Sequence, residues 1–198
     1  MYIIGLTGGI GSGKTLVSKV FENLGIAVYN SDIEAKLLMN NNPEIINKFK
    51  MIFGFEIYDD NNRLNKKKLA DLIFNDKNKL KTVNSIVHPA VKKHFTNWVQ
   101  MQKSPYVIKE TAILFESGTY KDVDKIITVT ASLDLRINRL IGRDRLSKEA
   151  IIERVNNQLN EDYKIKNSDY VIYNDNKQLI VPLILKIHQK ILEILKKK

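Results

Sequence analysis

The run Gly8-Gly9-Ile10-Gly11-Ser12-Gly13-Lys14-Thr15 fits the spacing G-x-x-x-x-G-K-[ST]. That spacing suits one task, holding the phosphates of a nucleotide. Glycines let the backbone curl until successive N–H groups converge on phosphate oxygens. A helix starting at the end of the loop adds the positive end of its dipole. Lys14 is placed to reach the β- and γ-phosphates, and the Thr15 hydroxyl to ligate Mg2+. The loop therefore predicts a nucleoside triphosphate as one ligand.

Phosphoryl transfer also needs a group that handles the attacking hydroxyl and donors for the developing charge. Asp32 lies just past the carboxyl end of an expected strand, where open α/β sheets bind ligands. A carboxylate there can accept the proton of a hydroxyl or orient it; the same residue also suits the N-cap of a helix expected over Ile33–Met39. Arg139 and Arg143 are four apart, hence on one helical face, with Arg136 and Arg145 near them. In a mobile segment they would neutralise a transferring phosphoryl group; as a solvated face they would pair with Asp134, Asp144 and Glu149. Glu110 follows the third expected strand, where a carboxylate can orient Mg2+ through water, and Glu116 comes soon after. Either also serves as a surface ion-pair partner. His88 offers a substrate hydrogen bond, or merely caps a helix that Pro89 starts at its favoured first position.

The elements that must position these groups are legible as short apolar runs alternating with helical patterns, which predicts a parallel α/β sheet. Strands are expected at Tyr2–Leu6, Ile26–Tyr29, Tyr106–Ile108, Ile126–Thr130 and Tyr170–Tyr173. Leu16, Val17, Val20, Phe21 and Leu24 mark a helix after the loop, stopped by Gly25. Between the second and third strands the spacing predicts helices over Ile33–Met39, Glu44–Phe53, Lys67–Phe74, Lys77–Val87 and Pro89–Gln102. That stretch is too long for an ordinary crossover and reads as a helical insertion. A second helical insertion spans about Arg139–Lys166, and a last helix about Leu179–Leu195, with Pro182 in its first turn.

Composition narrows the classes further. The 198 residues suffice for one globular domain with insertions. No cysteine is present, which excludes disulfides, thiolate catalysis and cysteine-ligated metals. No run approaches the ~18 apolar residues of a membrane span, and the N-terminus has no signal-peptide pattern, so a cytoplasmic protein is expected. The net charge of +10 comes from scattered lysines without interleaved aromatics; Lys196–Lys198 reads as a solvated tail. No specific nucleic-acid partner is expected, and the charge suits polyanionic small substrates. Guanine-reading, zinc-protease and serine-hydrolase motifs are missing.

With these residues in place, the chain resembles the dephospho-CoA kinase family along nearly its whole length. Ile4-Gly5-Leu6-Thr7-Gly8-Gly9-Ile10-Gly11-Ser12-Gly13-Lys14 matches the family's opening, which is narrower than a generic phosphate loop. Leu24-Gly25 with Asn30-Ser31-Asp32-Ile33-Glu34-Ala35-Lys36 resembles L-G followed by D-A-D-x-x-A-R. Leu64-Asn65-Lys66-Lys67-Lys68-Leu69 with Phe74, Ile86-Val87-His88-Pro89 and Ala112-Ile113-Leu114-Phe115-Glu116 are similar to later family segments. Arg139, Arg143-Asp144, Gln158, and Asp169-Tyr170-Val171-Ile172 with Asn174 complete the likeness. Asn30, Lys36, Lys66, Ala112 and Thr15-Leu16 (for Ser-Thr after the lysine) depart from it; the two lysines keep the charge of the family's arginines but lose the bidentate fork.

The resemblance implies transfer of the ATP γ-phosphate to the ribose 3′-hydroxyl of dephospho-CoA, with Mg2+. It implies a nucleotide-binding core over 1–31, 104–138 and 167–198, a helical dephospho-CoA-binding insertion over 32–103, and a lid over 139–166. It implies Asp32 as base, acting with Lys14, Arg139 and Arg143. Gly11, Ser12, Gly13, Lys14, Thr15, Leu16 and Asn174 would bind the nucleotide, and Thr15 and Glu110 the metal. Thr7, Asp32, Lys36, Lys66, His88 and Glu116 would face the acceptor. Two other readings share parts of the pattern: another small-molecule kinase, and a basic nucleic-acid-binding protein regulated by nucleotide.

Overall fold

Apolar runs become strands because β-branched residues fit a pleated, doubly covered surface. In the computed structural model they form a five-stranded sheet of order β2-β3-β1-β4-β5. The strands are β1 (Tyr2–Thr7), β2 (Ala27–Asn30), β3 (Tyr106–Glu110), β4 (Lys125–Thr130) and β5 (Tyr170–Tyr173). Every neighbouring pair is parallel, so all carboxyl ends share one edge, as expected for the phosphate-loop kinase class. The structure describes residues 1–74, 76–144 and 147–197; Arg145 and Lys198 lie outside the described residues.

The helices in chain order are α1 (Lys14–Asn23), α2 (Ser31–Asn41), α3 (Pro43–Phe53), α4 (Lys66–Phe74) and α5 (Lys77–Gln100). They continue with α6 (Leu133–Asp144), α7 (Lys148–Asn156), α8 (Glu161–Lys166) and α9 (Ile180–Lys196). The chain divides into two compact units, Met1–Asn30 with Gln102–Lys198, and Ser31–Met101.

In the first unit Ile4 and Leu6 of β1, with Ile127 and Val129 of β4, are fully buried against Val17 and Phe21 of α1 and Ile184 and Ile191 of α9. Each such side chain contributes about 1.5–3 kcal/mol by leaving water. This cluster anchors β1 and α1, the two elements between which the phosphate loop is strung. A smaller cluster joins Ile137 and Leu140 of α6 to Ile151 of α7, with Ile10 of the loop packed against it.

In the second unit the expected helices Lys77–Val87 and Pro89–Gln102 are one helix, α5, with Pro89 inside it. The start of a new helix at Pro89 is therefore corrected. Proline removes the N–H that would bond the Ser85 carbonyl and costs about 3 kcal/mol. The buried stripe Val83, Val87, Val91 and Phe95 runs straight through it at a spacing of four. Packing of that stripe outweighs the lost bond. Elsewhere local chemistry sets the ends: Asn42 accepts from the N–H groups of Glu44 and Ile45 at the start of α3, where Pro43 takes the first position.

Candidate functional site

The phosphate loop connects the end of β1 to the start of α1, and glycine is required there for two different reasons. Gly13 adopts φ 101°, and a Cβ on it would run into the Asn174 side-chain amide. Gly9 has no such torsion; a Cβ there would strike the Arg136 guanidinium, 2.5 Å from Cζ, and lie 2.7 Å from Glu161 Oε2. The second glycine of the opening motif is thus required in this chain by an arginine 127 positions later.

Helix α1 starts with no side-chain cap and no acidic residue in its first turn. Its leading N–H groups and dipole therefore meet no competing side-chain charge. Lys14 Nζ donates to the carbonyls of Gly8 at 2.9 Å and Gly9 at 3.4 Å, so the lysine lies along the loop. Thr15 and Leu16 are exposed on the same turn. Ser18 Oγ, one turn on, donates to Glu110 Oε2 at 2.6 Å and ties the end of β3 to α1. Thr7 and Ser12 are fully buried, and neither hydroxyl has a partner among the described residues.

Residues distant in sequence hold the loop. Asn174 donates from Nδ2 to the Ser12 carbonyl at 2.8 Å, and its own carbonyl accepts from Arg139 Nη2 at 2.9 Å. Arg139 Nη2 also donates to Asn176 Oδ1 at 3.0 Å, so it clasps the turn after β5. Arg143 is exposed one turn further along α6. A cavity of about 390 Å3 opens beside this turn, lined by Leu16, Asn174, Asn176, Gln178, Leu179 and Ile180 among others. Its apolar flanks and side-chain amides are of the kind that sandwich and read a planar base.

Three residues outside the expected site prove central to its geometry. Arg136 is buried and donates from Nε to the Ile10 carbonyl at 2.8 Å and from Nη1 to Glu161 Oε2 at 2.5 Å. Sequence carried a signal for it: Leu133, Arg136, Ile137 and Leu140 form one helical stripe, and an arginine on an apolar stripe needs a buried partner. Gln158 Oε1 accepts from the Ile10 N–H at 2.9 Å. Lys164 is fully buried and pairs with Glu116 Oε1 at 2.8 Å, while the same oxygen accepts from the Leu159 N–H at 2.9 Å. Glu116 is thus engaged with the α7–α8 segment in this structure.

The remaining candidates belong to the second unit. Asp32 is half-buried in the first turn of α2, and Lys36 is exposed one turn later on the same face. The capping role for Asp32 is corrected: β2 runs to Asn30 and α2 begins at Ser31, so Asp32 is already helical. Its charge instead favours the helix dipole. His88 is half-buried inside α5, and Lys66 is exposed at the start of α4.

A family model described as dephospho-CoA kinase matches residues 2–179 of the chain. A dephospho-CoA kinase of Bacteroides fragilis is 39% identical over 185 residues, covering 93% of this chain and 90% of that one. Among solved structures, TT1252 from Thermus thermophilus superposes with a TM-score of 0.87 at 30% identity, covering 96% of this chain and 97% of that one. A dephospho-CoA kinase from Campylobacter jejuni gives a TM-score of 0.70 at 25% identity, with 96% of each chain covered.

Proposed function

The chain belongs to the dephospho-CoA kinase family, and from that premise we propose the part each of its residues takes. The reaction moves the γ-phosphoryl group of ATP to the ribose 3′-hydroxyl of dephospho-CoA and yields coenzyme A and ADP. The readings as another small-molecule kinase or as a nucleotide-regulated nucleic-acid binder are not favoured. Among the described residues no helix is long and apolar enough to cross a membrane; a cytoplasmic site of action is part of this proposal.

The observation that carries the donor half is the loop from Gly8 to Thr15, held in strand–loop–helix context with an uncapped α1 behind it. Lys14 exchanges its bonds to the Gly8 and Gly9 carbonyls for donor phosphate oxygens. The base lies in the cavity flanked by Leu16 and Leu179. Thr15 and Glu110 offer a hydroxyl and a carboxylate, hard oxygen donors that fit Mg2+, with Glu110 tethered through Ser18 to the helix that carries Thr15. The ion, when bound, would neutralise negative charge on the donor phosphates.

The acceptor half rests on Asp32. A ribose hydroxyl keeps its proton at neutral pH, and a carboxylate that receives the proton as the O–P bond forms lowers the barrier. Position matters as much as basicity here, because phosphoryl transfer is mostly alignment and charge stabilisation. Arg139 and Arg143 supply positive charge to the group in flight. We assign residues 32–103 to acceptor binding, with Lys36, Lys66 and His88 as contacts, and 139–166 to a lid. Thr7 and Glu116 are assigned to the acceptor side: the Thr7 hydroxyl and Glu116 Oε2 are buried without a partner among the described residues, while Glu116 Oε1 keeps Leu159 and Lys164.

The test is coupled ADP release against a panel of hydroxyl acceptors, with the product located by phosphorus NMR. Release that depends on dephospho-CoA and a new 3′-phosphate are expected. Turnover only with a different acceptor would falsify the reading.

A further inference from the structure

Ile10, the third residue of the phosphate loop, is gripped at three points. Its side chain packs on Ile137, Leu140 and Ile151. Its carbonyl accepts from Arg136 Nε at 2.8 Å, and its N–H donates to Gln158 Oε1 at 2.9 Å. The residues on either side are Gly9 and Gly11, which restrain the backbone least. The peptide planes on either side of a residue flanked by glycines turn over at little cost unless something outside holds them. The directions of the Gly9–Ile10 and Ile10–Gly11 planes decide which N–H groups turn toward the phosphates and which do not.

We propose that Gln158 is a positioning residue for phosphoryl transfer, fixing the shape of the phosphate loop from the α7–α8 connection through its bond to the Ile10 N–H. The connection is anchored at two points just after Gln158. Leu159 N–H donates to Glu116, which Lys164 holds at 2.8 Å, and Glu161 accepts from Arg136. The amide side chain thus projects from a pinned base. Gln158 holds the peptide plane before Ile10 and Arg136 the plane after it, so loop shape is coupled to the placement of residues 133–161. This inference rests on the donor phosphates occupying the loop, as proposed above.

Two variants and two readouts test it. Gln158→Met keeps length but removes the acceptor oxygen; Gln158→Glu keeps an oxygen that can accept from Ile10. In ligand-free protein, Gln158→Met should speed exchange of the Ile10 amide about three- to tenfold, the worth of one hydrogen bond. It should raise the KM for ATP by a similar factor with melting temperature nearly unchanged. Gln158→Glu should stay within about threefold of the parent in both. The proposal is overturned if Gln158→Met matches the parent in exchange and KM. It is equally overturned if Gln158→Met loses only melting temperature, or if Gln158→Glu is as impaired as Gln158→Met. Failure of the functional reading would show instead as no dephospho-CoA-dependent ADP release by the parent, leaving the exchange result to be read alone.

Discussion

The phosphate loop and the first turn of α2 place their functional groups by opposite means. The loop is held from afar: Gln158 reaches Ile10 across 148 positions and Asn174 reaches Ser12 across 162. Asp32 is carried by a helix that starts directly after a strand, and its neighbours Glu34 and Lys36 are its own helical turns. Around it the second unit is tied over spans of 19 to 60 positions, as where Tyr58 donates to the Met39 carbonyl, Asn40 accepts from the Leu64 N–H or His94 lies 3.7 Å from Glu34. Distance in sequence makes the loop sensitive to substitutions that never touch a ligand.

The largest effect should come from the local side. Asp32→Asn keeps the shape and the helix and removes the base, so turnover should fall about 10²–10⁴-fold. ATP affinity and melting temperature should stay near those of the parent. Near-parental turnover would strike Asp32 from the mechanism and break the comparison at its simpler end.

The arginine pair comes next: Arg139 clasps the turn after β5, and Arg143 is exposed one turn further along α6. Arg139→Ala and Arg143→Ala should each lower turnover about 10²–10³-fold. Arg139→Ala should also lower the melting temperature by about 2–4 °C, since the Asn174 carbonyl and Asn176 lose their donor. Losses under about threefold in both would mark the pair as a solvated face.

Glycine substitutions sharpen the contrast at smaller cost. Gly9→Ala drives a Cβ into Arg136 and should destabilise by about 1–3 kcal/mol while slowing turnover. Gly142→Ala, in α6 with nothing within 4 Å of the new Cβ, should stabilise by about 0.5–1 kcal/mol. Thermal melts of the two variants decide; a Gly9→Ala protein as stable as its parent would show that Arg136 moves aside freely.

The smallest effect is a pH dependence at the back of the sheet. His188 Nδ1 is hydrogen-bonded to the Tyr106 hydroxyl at 2.7 Å, and burial holds its pKa below the ordinary 6.5. The unfolded chain therefore takes up this proton first. Stability from His188 is complete above about pH 6.5 and is lost as pH falls toward the folded value. Melting temperature should drop between pH 7.5 and 5.5, and less steeply in His188→Gln. An unchanged slope would rule the group out.

Strands and the phosphate loop were legible because short-range pattern determines them: five apolar runs became five strands, with ends shifted by a residue or two. Pro89 misled because a proline is a local signal, whereas Val83, Val87, Val91 and Phe95 act together over four turns. Arg136 stood on a readable stripe but was outweighed by the more conspicuous Arg139 and Arg143 spacing. Lys164 carried no signal at all. In a lysine-rich chain nothing marks Lys164 as fully buried, and its partner Glu116 lies 48 positions earlier. Tertiary pairing is what periodicity cannot see.

The all-parallel sheet has a consequence for the order of synthesis. β1 lies at its centre, flanked by β3 and β4, whose partners to Ile4 are Ile108 and Lys125. A ribosome finishes the loop's motif at Thr15, yet Arg136, Gln158 and Asn174 are still unmade. At about 5–20 residues per second, their completion comes roughly ten to thirty seconds later. Throughout that interval the nascent chain carries a phosphate-loop sequence without a phosphate-loop shape. Nucleotide bound to the finished loop can therefore stabilise the fold only near the end of translation.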